Sequence, residues 1–435
     1  MKTNRNKEFL SYVLPSVLAF ALSGVYTIVD GFFVGRSLGD AGIAAITLGY
    51  PLSAFIQAVG TGIGLAGAIR FTIFRAQDKE KESRECFSAT TFLMLSVGAL
   101  LTLVLFLLAK PILTFFGATG DTLRMSAEYV KIIALGAIFQ LLATGFVPFI
   151  RNMNGSTFAM VAMILGFLTN VALDFTFVRV LSLGMAGAAL ATIIGQAVTM
   201  LVAVIFFLRK RLGVKLLSPK KQFPVWGETL KVALSPFGLT FSPMITLLLM
   251  NRFLLLYGNE QAVAIYGCIG YVTSIIYLLL QGVGDGCQPL ISLHYGQKDS
   301  DGVKQTVRAA YITALAISFV CMVGVFFARG KVGVLFGASG EANTGVIRYL
   351  PYFLAPMLFL AFVRITTSYY YATEKNVLSY TLVYAEPVLT FVLLLILPSF
   401  LKLEGVWLTV PIAQGLTFLI ALSERLTLTK KKMPE

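Results

Sequence analysis

Charged residues make up only 13% of this chain, and histidine occurs once, at His294. A single histidine and the absence of an HExxH or GxSxG run remove the common hydrolase centres. Four cysteines, Cys86, Cys268, Cys287 and Cys321, show no CxxC spacing, which argues against a metal or redox pair and for packed free thiols. Gly60, Gly62, Gly64 and Gly67 lack the Lys-Ser/Thr of a phosphate loop, so close helix packing is their first explanation. What is abundant is apolar surface: 57% of 435 residues are hydrophobic, well above a soluble average of about 45–50%. The chain is a polytopic membrane protein.

A net charge of +14 suggests nucleic acid at first sight. Lys and Arg concentrate instead in short connectors between apolar runs, the pattern that orients membrane proteins, and no nucleic-acid partner is expected. Apolar stretches long enough to cross a bilayer fall at 9–35, 42–74, 86–109, 126–150, 157–181 and 186–208, then at 228–256, 262–295, 306–328, 345–372, 376–400 and 406–427. The basic connector between the sixth and seventh, Arg209 to Lys221, divides the chain into an N-terminal lobe (1–208), a linker (209–226) and a C-terminal lobe (227–435). The N-terminal arm, Arg75 to Arg84, Lys298 to Arg308 and Lys430 to Lys432 put positive charge on the linker's side. Both termini are therefore expected in the cytoplasm, in a plasma (cell inner) membrane. The first apolar stretch is too long for a signal-peptide core and should remain as a helix.

The two halves repeat. Pro15, Phe20, Phe32, Ala41, Gly49, Tyr50 and Ser53 align at constant offset with Pro236, Phe241, Phe253, Ala262, Gly270, Tyr271 and Ser274. After small shifts of register, Gln57, Val59, Gly60 and Gly62 meet Gln281, Val283, Gly284 and Gly286, and Gly187, Leu190, Gln196 and Thr199 meet Gly405, Leu408, Gln414 and Thr417. Because six is even, both copies enter from the same side. The expected fold is all-α, twelve transmembrane helices in two six-helix bundles related by a pseudo-two-fold along the membrane normal, an arrangement suited to alternating access.

Asp30 and Asp174 interrupt apolar runs, at a cost of roughly 2.5–3.5 kcal/mol each on insertion scales. With a rise of about 1.5 Å per residue, Asp30, Asp174 and Thr192 fall roughly 8–10 Å inside the outer ends of spans one, five and six. Asn170 lies one turn from Asp174 on the same face. Carboxylate, amide and hydroxyl oxygens suit a hard cation such as Na⁺. A proton is the alternative occupant, since two close carboxylates in a low dielectric cannot both stay charged without a counter-ion. A purely local reading has Asp30 and Asp174 ending helices and Asn170 and Thr192 bonded to backbone.

The stretches Val29-Asp-Gly-Phe-Phe-Val-Gly-Arg-Ser-Leu-Gly-Asp40, Asn170-Val-Ala-Leu-Asp174 and Gly184-Met-Ala-Gly-Ala-Ala-Leu-Ala-Thr192 resemble the multidrug and toxic compound extrusion (MATE) family. Gln288-Pro-Leu-Ile-Ser-Leu-His-Tyr-Gly296 is similar to span eight of its MepA-like branch. The resemblance covers essentially the whole chain. It implies a cation-coupled exporter whose N-lobe cation site is Asp30, Asn170, Asp174 and Thr192, and in which Pro15 matches the proline where helix one bends in some members. Proline removes a backbone hydrogen bond in any case, so a kink at Pro15 is expected independently. One branch of the family carries acids in spans seven and ten. Here span seven has none, and Asn251 stands at the repeat position of Asp30.

In the second half, Asp285 and Glu386 are candidates to face a cavity and attract a cationic substrate, with Gln288, Met244, Met250, Asn251 and Tyr369 as further cavity candidates. Local hydrogen bonding and the Pro387 break are their alternative explanations. Arg364 must snorkel or find a carboxylate, and His294 reads as an interfacial residue rather than a proton relay. The expected function is secondary-active export of organic cations or amphipathic drugs in exchange for Na⁺ or H⁺, by a monomer surrounded by lipid, with no cofactor beyond the coupling ion and no enzymatic activity. A flippase for a lipid-linked saccharide is the alternative, disfavoured by few basic residues within the spans. A membrane enzyme is left only an Asp30–Asp174 dyad, beside which Asn170 and Thr192 fit ion binding better.

Overall fold

The computed structural model describes residues 2–335 and 340–430; for residues 2–4, 25–41, 43, 44, 335, 429 and 430 the helical backbone alone is described. All regular structure among the described residues is helical. In order the elements are α1 (Lys2–Ala76), α2 (Glu80–Phe115), α3 (Gly120–Leu135), α4 (Ala137–Asn152), α5 (Ser156–Asp174) with a π-helical turn (Phe175–Val180), α6 (Gly184–Arg209), α7 (Pro219–Tyr257), α8 (Glu260–Gly296), α9 (Ser300–Leu335), α10 (Gly340–Leu354), α11 (Met357–Ala372) and α12 (Asn376–Lys430).

Helix lengths sort themselves against a hydrocarbon core about 30 Å thick. At 75 residues α1 has a contour of about 110 Å and carries two crossings. The 55 residues of α12 do the same, divided at Lys402, whose φ of 51° and ψ of −130° lie outside helical space. Two other crossings are each made of a bent pair, α3 with α4 at 57° and α10 with α11 at 44°. The first bend falls at Gly136, where a Cβ would stand 2.3 Å from Ile193 Cγ1. The second falls at Pro356, the cap of α11, which has no N–H to continue the preceding helix. With α2 and α5 to α9 as one crossing each, the total among the described residues is twelve.

The chain forms two compact units. The first comprises Met1–Thr240 with Ser292–Ser300, and the second Phe241–Ile291 with Asp301–Glu435. In the first, α1 and α4 cross so closely that a Cβ on Gly64 would lie 2.1 Å from Gly145 Cα. Phe87, Phe146, Phe149 and Phe207 interlock beside that crossing, with ring centroids 4.9 Å apart for Phe87–Phe207 and 5.1 Å for Phe87–Phe149. The connector at 210–218 is tied to the start of α2: Lys215 N–H donates to Ser88 Oγ at 3.1 Å, and Trp226 Nε1, on α7, donates to Ala89 O at 2.8 Å. Helix α7 begins at Pro219, inside the expected linker, because proline suits the first helical turn.

The second unit is built around Trp407, fully buried and stacked on Tyr349 at 4.3 Å, with Tyr266 and Phe353 completing the cluster. Large apolar side chains remain exposed along the helices, among them Leu107, Leu208, Phe327 and Phe400. Lipid is the solvent that makes such a surface stable. None of the four cysteines is joined in a disulfide, and three of them are buried.

Candidate functional site

The centre of the first unit's site is the seam between α5 and α6. Gly166 and Gly195 face each other there: a Cβ on either would lie 2.8 Å from the other's carbonyl oxygen. Small residues at such a seam let two helix backbones approach, and polar side chains then meet across it. One turn along, Asn170 Nδ2 donates to Thr192 Oγ1 at 3.5 Å, while Thr192 Oγ1 donates back to Ala188 O at 3.0 Å. The threonine proton is thus spent on the backbone, leaving lone pairs toward Asn170.

Asn170 is 3% exposed and Asp174 is completely buried. Asn170 Oδ1 has no hydrogen-bond partner among the described residues. A buried acceptor of this kind costs free energy until a donor or a cation meets it. The helix changes character at Asp174, where α5 passes into the π-helical turn Phe175–Val180. Such bulges interrupt the regular hydrogen-bond ladder and recur at functional sites; nothing in the composition of Phe175 to Val180 announced it. Asp30, the fourth residue of the expected set, has its side chain outside the described residues. Pro15 is buried within α1, which continues through it.

The second-half candidates separate. Glu386 accepts from Tyr277 Oη at 3.4 Å and from Gln414 Nε2 at 3.0 Å, and Gln414 Nε2 also reaches Tyr277 Oη. Arg364, 7% exposed, holds its guanidinium 5.4 Å from the Tyr277 ring centroid. Arg364 acts electrostatically on Tyr277 together with Glu386, and on Tyr371 together with Asp285. Asp285 is 7% exposed, Gln288 and Met250 are fully buried, and Met244 and Asn251 are half-buried. Tyr369 is tied to its own end of α11, accepting from Lys375 Nζ at 2.8 Å with the Arg425 guanidinium 4.7 Å above its ring. His294 lies at the end of α8, its Nδ1 3.4 Å from Asp299 Oδ2, an oxygen that also receives Arg5 Nη2 at 3.3 Å.

Sequence reasoning did not single out Tyr277 as a partner of Glu386. Gln414 had a signal, since it occupies the repeat position of Gln196, but a repeat match does not say what the side chain touches.

Fold and site together define a duplicated, all-helical, multi-pass membrane protein with buried polar clusters inside its helical units. The chain belongs to the MatE family, whose model matches it twice, over residues 15–176 and 232–398. The two matches fall on the two repeats read from the residues.

Among curated relatives, the multidrug export protein MepA of Staphylococcus saprophyticus is 28% identical over 330 residues, covering 75% of this chain and 72% of its own length. MepA of Staphylococcus haemolyticus is 25% identical over an alignment 439 positions long, covering 99% of this chain and 96% of its own length. Among solved structures, an outward-facing multidrug resistance MATE family transporter of the MOP superfamily superimposes with a TM-score of 0.91 at 21% identity, covering 99% of this chain and 97% of that one. A MOP superfamily transporter from Pyrococcus furiosus, described as having a binding pocket of reverse polarity, gives 0.90 at 20% identity, with the same coverage. These likenesses establish the fold.

Proposed function

We propose that the chain is a secondary-active multidrug exporter, moving organic cations and amphipathic drugs outward across the plasma membrane in exchange for Na⁺ or H⁺. Its termini face the cytoplasm and it works as a monomer in lipid. The export reading draws on the MepA relatives, which align along most or all of the chain. The coupling reading rests on one observation: a fully buried Asp174 one helical turn from a buried Asn170 whose Oδ1 has no protein partner among the described residues, with Thr192 bonded to that asparagine.

Asp174 supplies negative charge, Asn170 and Thr192 supply neutral oxygens, and Asp30 contributes a second carboxylate. A cation entering such a set neutralises charge that the low-dielectric interior otherwise penalises. Its binding therefore has a differential free energy between states in which the set is compact and states in which it is open, and that difference is what couples ion to substrate.

The test is ethidium transport in everted vesicles under separate Na⁺ and H⁺ gradients, comparing wild type with Asp30→Asn and Asp174→Asn. Loss of gradient-driven transport in the variants is expected. Undiminished coupled transport in both would remove the site assignment.

A further inference from the structure

Tyr277, Glu386 and Gln414 come from α8 and from the two arms of α12, all within the second unit. Their mutual hydrogen bonds are one-sided. Both donors to the carboxylate, Tyr277 Oη and Gln414 Nε2, converge on Glu386 Oε1. Gln414 is 3% exposed, and its Oε1 is buried with no hydrogen-bond partner among the described residues. Among the described residues the cluster therefore spends its donors internally, and Gln414 Oε1 is left as an acceptor beside the half-buried Glu386 carboxylate, whose two accepted bonds both fall on Oε1.

We propose that this cluster is a second cation site, distinct from the one between α5 and α6, whose ligand is the protonated primary or secondary amine of a transported base. That the amine belongs to a transported molecule rests on the export reading above. An alkylammonium carries directional N–H donors, and two neighbouring acceptor oxygens, one of them anionic, match it. A hard metal ion is a poorer fit, because such ions gather about six or more oxygens and this cluster offers four, with both Glu386 oxygens and the Tyr277 hydroxyl included. A quaternary ammonium has no N–H to give, so the site separates amines from quaternary cations of equal charge.

Binding of a dansyl-tagged primary alkylamine and of its N-trimethylated analogue to the full chain in lipid nanodiscs, without any ion gradient, tests this. Glu386→Gln and Gln414→Leu are expected to weaken the amine by about tenfold or more, the scale of a hydrogen bond to a charged group, with little change for the trimethylated probe. Equal losses for both probes, or no loss for either, would each overturn it. Should Glu386→Gln fail to give monodisperse protein, Gln414→Leu decides alone, since it leaves the charge in place. Because the assay uses no gradient, its failure leaves the coupling assignment at Asp174 standing, and loss of coupling in Asp174→Asn leaves this one standing.

Discussion

Asn170 and Thr192, on successive helices, are hydrogen-bonded at 3.5 Å directly above the point where Gly166 and Gly195 bring those helices into backbone contact. The polar pair exists because the glycine pair exists: without the close seam, an amide and a hydroxyl on neighbouring helices would not meet.

Replacing the seam glycine separates the two effects. A Cβ on Gly166 would stand 2.0 Å from Thr199 Oγ1 and 3.3 Å from Thr199 Cβ. Gly166→Val is expected to destabilise the first unit by about 1–3 kcal/mol, the usual cost of overpacking. It should also reduce coupled transport by parting Asn170 from Thr192. Thermal unfolding followed by size-exclusion chromatography, beside the vesicle assay, measures both. A variant of wild-type stability and coupling would show that the seam is slack.

The crossing of Gly64 with Gly145 leaves still less latitude, since its three nearest obstructing atoms are all backbone, at 2.1–2.6 Å, whereas at Gly166 the nearest is a side-chain oxygen and the backbone stands off at 2.8 Å. Gly64→Val is expected to cost more stability than Gly166→Val in the same unfolding assay. An equal or smaller loss would mean that α1 and α4 slide apart easily.

Thr192 and Asp174 should differ in kind. Thr192→Val keeps the shape and removes the oxygen, so weaker ion binding with retained coupling is expected, a loss of about 0.5–1.5 kcal/mol by hydrogen-bond scale. Asp174→Asn removes the charge and should abolish coupling. Ion dependence of transport, measured as half-saturating Na⁺ or H⁺, distinguishes a shifted midpoint from a lost response.

The chain has two tryptophans, and they report different places. Trp407 is fully buried against Tyr349, whereas Trp226 ties the connector region to α2 through its bond to Ala89 O. Trp226→Phe should leave a single blue-shifted emission from Trp407 and lower stability by about 1 kcal/mol, as loss of one hydrogen bond does. A red-shifted spectrum from the remaining tryptophan would contradict the burial of Trp407.

Much of the architecture was legible before any coordinate, for specific reasons. Apolar run lengths, Lys and Arg placement, and the pairing of Pro15 to Ser53 with Pro236 to Ser274 are properties of local chain and repeat, and the double match to the MatE model falls on that repeat. Acids within apolar runs also stand out in one dimension, which is why Asp174, Asp285 and Glu386 were visible. Their surroundings were not. Tyr277 lies far along the chain from Glu386, and Gln414 lies in the other arm of α12, so no spacing rule joins them.

The amino-acid sequence by itself determined that this is a duplicated helical membrane protein with acids at membrane depth, because hydropathy, charge bias and repetition are written along the chain. Only the tertiary structure decided which oxygens meet. Asn170 reaches Thr192 because two glycines let α5 and α6 touch, α5 gives way to a π-turn at Asp174, and Glu386 is held by a phenol and an amide from other crossings. Helix contact depends on shape complementarity between distant segments, and a linear pattern does not encode distance across a seam.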